Sequence, residues 1–187
     1  MTEEELVALA REAAGRAYAP YSNFHVGCAV ESVDGEVVTG ANMENACYRL
    51  GLCAEQSALT AAQHAFGLGK VARIAVAGGS GEMVCTPCGG CRQAIFEAAC
   101  LSGRDIAIIC ASGDGSAVER RSIGELLPSG FGPANLDDSA VGQIGCDAHE
   151  RSVLDMVKLW PGRPALVTWD ETDGWSVGTP PEHLPPE

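Results

Sequence analysis

Three cysteines and one glutamate have the residue types and spacing of a catalytic metal centre. Cys53 and Glu55 are separated by one residue, and Cys88 and Cys91 lie three apart in the run Pro-Cys-Gly-Gly-Cys-Arg. Zinc prefers sulfur and nitrogen ligands in a tetrahedron, and a catalytic site uses three protein ligands so that the fourth position stays open for water. A carboxylate beside such a site is suited to carry the protons of that water. The pattern therefore predicts a hydrolytic zinc centre.

Both groups of cysteines are predicted to open a helix. Cys88 and Cys91 would share one side of a first helical turn, and Cys53 precedes a run rich in Ala and Leu that has no breaker before Gly67. The amino end of a helix carries partial positive charge, so we expect both positions to favour thiolate anions.

A structural metal site or an iron–sulfur cluster is the alternative, because Cys85, Cys88 and Cys91 also form a C-x2-C-x2-C run. Ferredoxin-type runs continue to a fourth Cys followed by Pro, which is missing here, and a cluster would give Glu55 no role. We therefore do not expect Cys85 to be a ligand. The four histidines are spaced unlike a metal set and are expected to be structural or solvent-facing.

Composition limits the class of protein. The 187 residues suffice for one domain with a proper core and an appendage. The net charge of −13 opposes non-specific attraction to nucleic acid, which needs a basic surface. No apolar run is long enough to cross a bilayer, no secretory signal is present at the start, and the nine cysteines are an odd number. We expect a small, weakly charged substrate, no nucleic-acid or membrane partner, and a reducing cytoplasm.

The order of predicted elements places these residues on a layered fold. An amphipathic helix capped by Thr2 is predicted from residue 2 to 18, and a hairpin joins 24–32 to 37–41 across an Asp-Gly turn. The later elements alternate: helices at 53–65 and 88–100, strands at 74–78, 106–111 and 117–121, and one helical turn at 123–127. This order predicts an α/β fold, a three-layer α/β/α sandwich around a mixed five-stranded sheet.

The amino-acid pattern of the chain changes after Leu136. Residues 1–136 are predicted to form the catalytic domain, and 137–187 a C-terminal extension of unknown role. Apolar periodicity predicts a helix at 153–160, and two short runs predict a hairpin across 165–177. A Pro-rich tail follows, which is expected to be loose.

Four motifs resemble those of the cytidine deaminases, in particular the short homotetrameric type. The matching segments are PYSNFHVG at 20–27, NMENACYRLGLCAE at 42–55, PCGGCRQ at 87–93 and LLPSGFGP at 126–133. They span the first 136 residues in the family's order and leave the extension unmatched. A match in several parts around a metal signature is far more specific than a single motif.

The resemblance implies a role for each matched position. It makes Cys53, Cys88 and Cys91 the zinc ligands and Glu55 the general acid/base. The substrate-binding positions that it implies are Phe24 against the pyrimidine, Asn42 and Glu44 on the ribose hydroxyls, Ala54 at the base through its backbone, and Tyr48 and Phe131 near the substrate of a neighbouring subunit. The implied reaction is hydrolytic deamination of cytidine and 2'-deoxycytidine, a step of pyrimidine salvage, by a homotetramer with shared active sites.

Two other functions remain open. A deaminase of a modified cytosine nucleoside, such as an N4-substituted cytidine or a blasticidin-type antibiotic, would use the same zinc centre. The pair Asn42 and Glu44 favours ordinary nucleosides, because buried partners of a sugar hydroxyl strongly reject analogues that lack it. A catalytically silent nucleoside-binding module is disfavoured by the presence of Glu55 together with all three ligands.

The substrate-binding positions also have purely structural interpretations. Phe24 in a strand could be an ordinary core residue. Asn42 and Glu44 could be solvated loop groups, and Tyr48 and Phe131 could be surface aromatics of a monomer.

One position departs from the family's pattern. Gln56 follows the catalytic glutamate where short-form relatives usually have Arg, so three thiolates and Zn²⁺ leave one excess negative charge. The amide of Gln56 can donate a hydrogen bond to a ligand sulfur but supplies no formal charge. We predict that Gln56→Arg moves the acidic limb of the pH profile of kcat/KM to lower pH, unless Gln56 faces elsewhere or Arg92 compensates.

Overall fold

The structure is a computed structural model that describes residues 1–79 and 81–136 and the two short strands at 167–170 and 174–177. The chain divides into two units, Met1–Gly132 and Pro133–Glu187. In these described ranges, no helix combines the length and the apolar character that crossing a bilayer requires.

The first helix, α1 (Glu3–Ala14), begins at a capping box. The Thr2 hydroxyl accepts a hydrogen bond from the backbone N–H of Glu5, and the Glu5 carboxylate accepts one from the N–H of Thr2. These bonds satisfy donors that a helix start leaves unpaired. The helix ends at Ala14, where Gly15 closes the last turn, so the predicted end at residue 18 was too late.

Five strands form one mixed sheet in the order β2-β1-β3-β4-β5. Their bounds are β1 (Val26–Ser32), β2 (Val37–Ala41), β3 (Val71–Gly78), β4 (Ala107–Ser112) and β5 (Val118–Ser122). Strands β3 and β4 run parallel and the other neighbouring pairs run antiparallel. The parallel pair requires a crossover, which a helix provides.

Two helices cover the face of the sheet opposite α1. Helix α2 (Ala54–Ala65) follows the loop after β2, and α3 (Gly89–Ser102) makes the crossover between β3 and β4. One buried cluster joins α2 and α3 to the sheet, and a second joins α1 to its other face. A single turn, α4 (Ile123–Leu126), follows β5. The prediction of a three-layer α/β/α sandwich around a mixed five-stranded sheet is confirmed.

The second unit contains two described strands, β6 (Val167–Asp170) and β7 (Gly174–Val177). They pair antiparallel, with Val167 opposite Val177, as the predicted hairpin requires. The predicted helix at 153–160 and the Pro-rich tail lie outside the described residues.

Candidate metal centre and active site

Three thiols converge where α2 and α3 begin. Cys53 is the N-cap of α2, Cys88 is the N-cap of α3, and Cys91 lies in the first turn of α3. Their Sγ atoms all lie within 4.8 Å of one another, with 4.0 Å between Cys53 and Cys88. Two sulfurs bound to one tetrahedral zinc at bond lengths of about 2.3 Å would be about 3.8 Å apart. The donor set and its spacing therefore fit one Zn²⁺ with a fourth position left for water.

The segment that carries Cys88 is held against the end of the sheet. The backbone N–H of Cys85 donates to the carbonyl of Ala111 at 3.2 Å, next to the carboxyl end of β4. The Arg92 guanidinium donates to the carbonyl of Pro87 at 2.9 Å and to that of Leu126 at 3.3 Å. Arg92 therefore fixes the residue directly before Cys88.

Gln56, the departure from the family's pattern, also points to the start of α3. Its amide nitrogen lies 3.9 Å from the position that a Cβ on Gly90 would occupy, between the two cysteines of that helix. The effect of Gln56 on the metal stays a prediction.

Burial and helix ends act in opposite directions on the three thiols. Hydrogen bonding, first of all from the backbone N–H of Cys91, lowers the pKa of Cys88. Desolvation raises the pKa of Cys53 and, more strongly, that of Cys91. The expectation that both helix ends favour thiolates therefore holds at Cys88 only, because burial dominates at the other two. The positive charge of a bound cation reverses this balance, since a coordinating thiol is deprotonated.

Glu55 is enclosed beside the thiols. It lies in the first turn of α2 and is only 5% exposed. Burial, and then the negative charge of Glu55, raise the pKa of Cys85 to about 11 and also raise the pKa of Cys28. Cys85 is outside the three-thiol cluster, in line with the prediction that it is not a ligand. Cys28 and Cys85 near Glu55 are thus held as neutral thiols, unlike the three thiols of the metal centre.

Asn42 and Glu44 both hold the segment before β1 in which Phe24 lies. The Asn42 side chain accepts from the N–H of Val26 at 2.8 Å and donates to the carbonyl of Phe24 at 2.9 Å. The Glu44 carboxylate accepts from the N–H of Tyr21 at 2.8 Å and is also hydrogen bonded to Ser22. Neither is a merely solvated loop group.

Phe24 lies just before β1 and is 43% exposed, so the interpretation of Phe24 as a core strand residue is wrong. Its ring approaches within 3.0 Å of the position of a Cβ on Gly79, at the carboxyl end of β3. Ala54 is buried at the first position of α2, directly after Cys53.

A pocket of about 350 Å³ has Glu44 in its wall. Its walls come from the segment before β1 and the loop after β2: Tyr21, Ser22, Glu44, Asn45, Tyr48 and Gly51. The rings of Tyr21 and Tyr48 are 5.9 Å apart between centroids, and Tyr48 is 79% exposed. This volume suits a small ligand.

Phe131 belongs to a segment that is docked on α3. The Gln93 amide donates to the carbonyl of Phe131 at 2.6 Å, and the Phe96 ring lies within 3.0 Å of Cβ positions on Gly130 and Gly132. The Phe131 side chain itself is 60% exposed.

Sequence reasoning assigned no role to Ser22 or Gln93. Both lie inside matched motifs, and Ser22 is followed by Asn23, whose positive φ of 55° marks a tight turn. A Ser-Asn turn directly before Phe24, which is predicted to bind substrate, is the sequence feature that could have identified Ser22 as a functional residue.

Residues 1–102 match the family model described as the cytidine and deoxycytidylate deaminase zinc-binding region. The match includes the three clustered thiols and Glu55. The chain belongs to this family. The enzyme is thus a hydrolase of the deaminase superfamily, and its cofactor is zinc, for which the three thiols provide the donor set.

Individual members of the family resemble this deaminase closely. It is 43% identical over 129 residues to a cytidine deaminase of Mycobacterium tuberculosis, a match that covers 69% of this chain and 86% of the relative. It is 38% identical over 138 residues to a cytidine deaminase of Halalkalibacterium halodurans, a match that covers 74% of this chain and 100% of the relative. The crystal structure of a cytidine deaminase from Burkholderia pseudomallei superposes with a TM-score of 0.64 at 41% identity, covering 70% of this chain and 100% of the other.

Proposed function

We propose that this deaminase converts cytidine and 2'-deoxycytidine, with one water, to uridine and 2'-deoxyuridine and ammonia. The observation that carries the proposal is the convergence of three thiols next to the buried carboxylate of Glu55. The names of the relatives support the choice of substrate. A place in pyrimidine salvage and in the reducing cytoplasm belongs to the same proposal, and the eight cysteines of the described part are all free thiols.

Glu55 performs the proton transfers of this reaction. Zinc, when bound by Cys53, Cys88 and Cys91, supplies an acidified water at its open position. Glu55 takes a proton from that water and delivers it to N3 of the cytosine ring, so that oxygen adds to C4. It then takes the remaining proton from the hydroxyl added at C4 and passes it to the amino group, which leaves as ammonia while the C4 carbonyl forms. Burial of Glu55 strengthens its electrostatic effect on charges that develop beside it.

The substrate is held by groups outside the metal centre. Asn42 and Glu44 bind the ribose hydroxyls, Phe24 packs against the pyrimidine, and the backbone at Ala54 recognises the base. The support for the first two is their position around a preformed segment, with Glu44 on the wall of the 350 Å³ pocket. Partners for a sugar hydroxyl that are fixed in advance reject analogues without it.

We also propose a homotetramer with shared active sites. The support is a group of exposed apolar side chains on the loop after β2, where Met43 is 52%, Tyr48 79% and Leu50 64% exposed. Apolar side chains grouped in this way are typical of subunit interfaces. Tyr48 and Phe131 would then reach the nucleoside of a neighbouring subunit. Light scattering on active enzyme should give the mass of four chains, and Phe131→Ala should change the kinetics; an active monomer, or unchanged kinetics, would refute the shared site.

Zinc analysis together with a substrate panel tests the proposed reaction. The purified protein is expected to hold one zinc per chain and to release ammonia from cytidine and 2'-deoxycytidine. The panel adds free cytosine, blasticidin S and an N4-substituted cytidine. Turnover of only a modified nucleoside would support the alternative deaminase, and zinc without turnover would support the silent binding module. Ammonia from free cytosine alone would reject a nucleoside site.

A further inference from the structure

One hydroxyl connects the residue that reads the sugar to the residue that contacts the base. Ser22 Oγ donates a hydrogen bond to Glu44 Oε1 and accepts one from the backbone N–H of Phe24 at 3.0 Å. The Phe24 amide therefore donates to the Ser22 hydroxyl, and that hydroxyl donates to the Glu44 carboxylate. Hydrogen bonds in such a chain polarise and strengthen one another.

Ser22 also contributes its backbone to the same carboxylate. The N–H of Ser22 donates to Glu44 Oε2 at 3.2 Å, next to the N–H of Tyr21 at 2.8 Å. A carboxylate has about four acceptor positions, and these contacts with Tyr21 and Ser22 occupy three of them. Among the described residues this leaves one position on Oε1, and its direction is set by the Ser22 hydroxyl on the same oxygen.

The turn that carries Ser22 needs such bonds. Asn23 adopts a left-handed backbone conformation with φ 55°, which residues other than Gly rarely adopt. Its N–H donates to the carbonyl of Ala19 at 3.0 Å, and the bonds of Ser22 hold the following residue, Phe24. Without the hydroxyl, both the Glu44 carboxylate and the backbone of Phe24 lose a fixed partner at the same time.

We propose that Ser22 is a positioning residue that aligns Glu44 with a sugar hydroxyl and couples that contact to the placement of Phe24 on the base. This inference rests on the proposed function, in which Glu44 reads the ribose. Ser22 itself touches neither the reacting atoms nor the metal ligands; it acts through Glu44 and Phe24.

The test is the ability of the enzyme to discriminate by the sugar. We define a discrimination ratio as kcat/KM for cytidine divided by kcat/KM for 2',3'-dideoxycytidine. Ser22→Ala should lower this ratio about tenfold or more, as expected from losing a hydrogen bond to a charged group. Ser22→Thr keeps a hydroxyl and should retain the ratio within about threefold. Ser22 is exposed, so the variants should fold. If Ser22→Ala does not fold, Ser22→Gly removes the same hydroxyl and takes its place in the test.

Ser116→Ala is the matched control, because the Ser116 hydroxyl also donates to a carboxylate, that of Asp114, in the turn between β4 and β5. It should leave the ratio unchanged. All variants are compared at full zinc occupancy and with their melting temperatures.

One outcome would overturn the role of Ser22: a ratio that Ser22→Ala leaves unchanged, whether both kcat/KM values stay as in wild type or fall by the same factor, as a general structural defect would cause. Glu44→Gln separates this failure from failure of the proposed function. If Glu44→Gln also leaves the ratio unchanged, Glu44 does not read the sugar and the proposed site is wrong. If Glu44→Gln lowers the ratio and Ser22→Ala does not, only the positioning role is rejected.

Discussion

Glu55 and the three cysteines share a site but have different chemical roles in it. A thiolate binds zinc through an electron pair, whereas Glu55 must exchange protons while staying off the metal. Its position in the first turn of α2 follows from Cys53 being the N-cap, two residues earlier. Burial and the negative charge of Glu55 both raise the pKa of Cys28 and of Cys85, so these two thiols stay neutral beside the carboxylate.

Replacement of Glu55 should separate metal binding from turnover. We expect Glu55→Ala to keep one zinc per chain and to lose turnover by about a hundredfold or more, because general acid/base groups contribute at least that much. Zinc content by mass spectrometry and ammonia release from cytidine measure the two effects. Glu36→Gln, at an exposed carboxylate in the turn after β1, is the control and should retain both properties. Near wild-type activity in a zinc-loaded Glu55→Ala enzyme would remove Glu55 from the mechanism.

At the scale of elements, two glycines set how closely the helices approach the sheet. A Cβ on Gly40 of β2 would lie 2.4 Å from the backbone nitrogen of Ala58 in α2. A Cβ on Gly27 of β1 would lie 2.0 Å from the carbonyl oxygen of Ala10 in α1. Real Cβ contacts are never this short, so each glycine is required by the close packing of one helix. Of these two helices, α1 and α2, only α2 carries site residues.

The two glycine variants should therefore have different effects on the metal site. Gly40→Ala should destabilise the enzyme by about 2 kcal/mol or more, the cost of overpacking, and also weaken zinc binding, because it displaces the helix that follows Cys53. Gly27→Ala should lower stability but leave the zinc affinity of the folded fraction unchanged. Urea unfolding and competition with a zinc chelator measure both quantities. Equal zinc affinity in the two variants would show that the position of α2 does not control the site.

A partly buried charge pair links β1 to β3 and gives the stability a pH dependence. Glu31 lies opposite Arg73 in the strand register and is 5% exposed. The hydrogen bond from the Arg73 guanidinium lowers the pKa of Glu31. The pKa of Glu31 is thus lower in the folded than in the unfolded state, where it is about 4.3. Its stabilisation is present above that value and is lost as pH falls through the folded pKa.

We predict that Glu31→Gln lowers the free energy of unfolding by about 2 kcal/mol at pH 7. The difference from wild type should stay constant from about pH 6 to 8 and become smaller below about pH 4. Urea unfolding across this range measures it. The matched control is Glu119→Gln, at an exposed pair with Arg121 on β5, which should change stability by less than about 1 kcal/mol. A pH-independent difference would mean that the charge of Glu31 is not what stabilises the strand pair.

At the scale of the whole molecule, the family accounts for the first part of the chain. The family model ends at residue 102 and the relative from Mycobacterium tuberculosis matches 69% of the chain. The sequence predicts a domain boundary between residues 136 and 137, and this boundary stays a prediction. The structure divides the chain after Gly132. In the second unit, β6 and β7 form a two-stranded pair, which alone is marginally stable in water. Such a pair needs further apolar surface to pack against.

Truncation after Leu136 tests the role of the extension. We expect the shortened enzyme to lose solubility or thermal stability, or to change its substrate preference, because the apolar periodicity at 153–160 predicts a segment that packs. Melting temperature, mass by light scattering, and kcat/KM for cytidine and 2'-deoxycytidine are compared with the full chain. Identical values in all three measurements would show that the extension is dispensable for this reaction.

Local physics made much of this protein predictable from its sequence. The capping box of α1, the hairpin of β1 and β2 and the helix starts at Cys53 and Cys88 depend on residues close together in the chain. The pair Cys88 and Cys91 was predictable for the same reason, since both lie within one helical turn. Cys53 lies 35 positions before Cys88, and it was assigned to the same site from its donor chemistry and its motif.

Only the tertiary structure decided how these segments act on one another. Ser22 and Glu44, which are in contact, lie 22 positions apart in the chain. Gln93 and Phe131, also in contact, lie 38 positions apart. The pKa directions of Cys53 and Cys91 follow from burial, which outweighs the helix ends that the sequence suggested. Such effects depend on which distant groups surround a side chain, and packing, rather than local pattern, determines those neighbours.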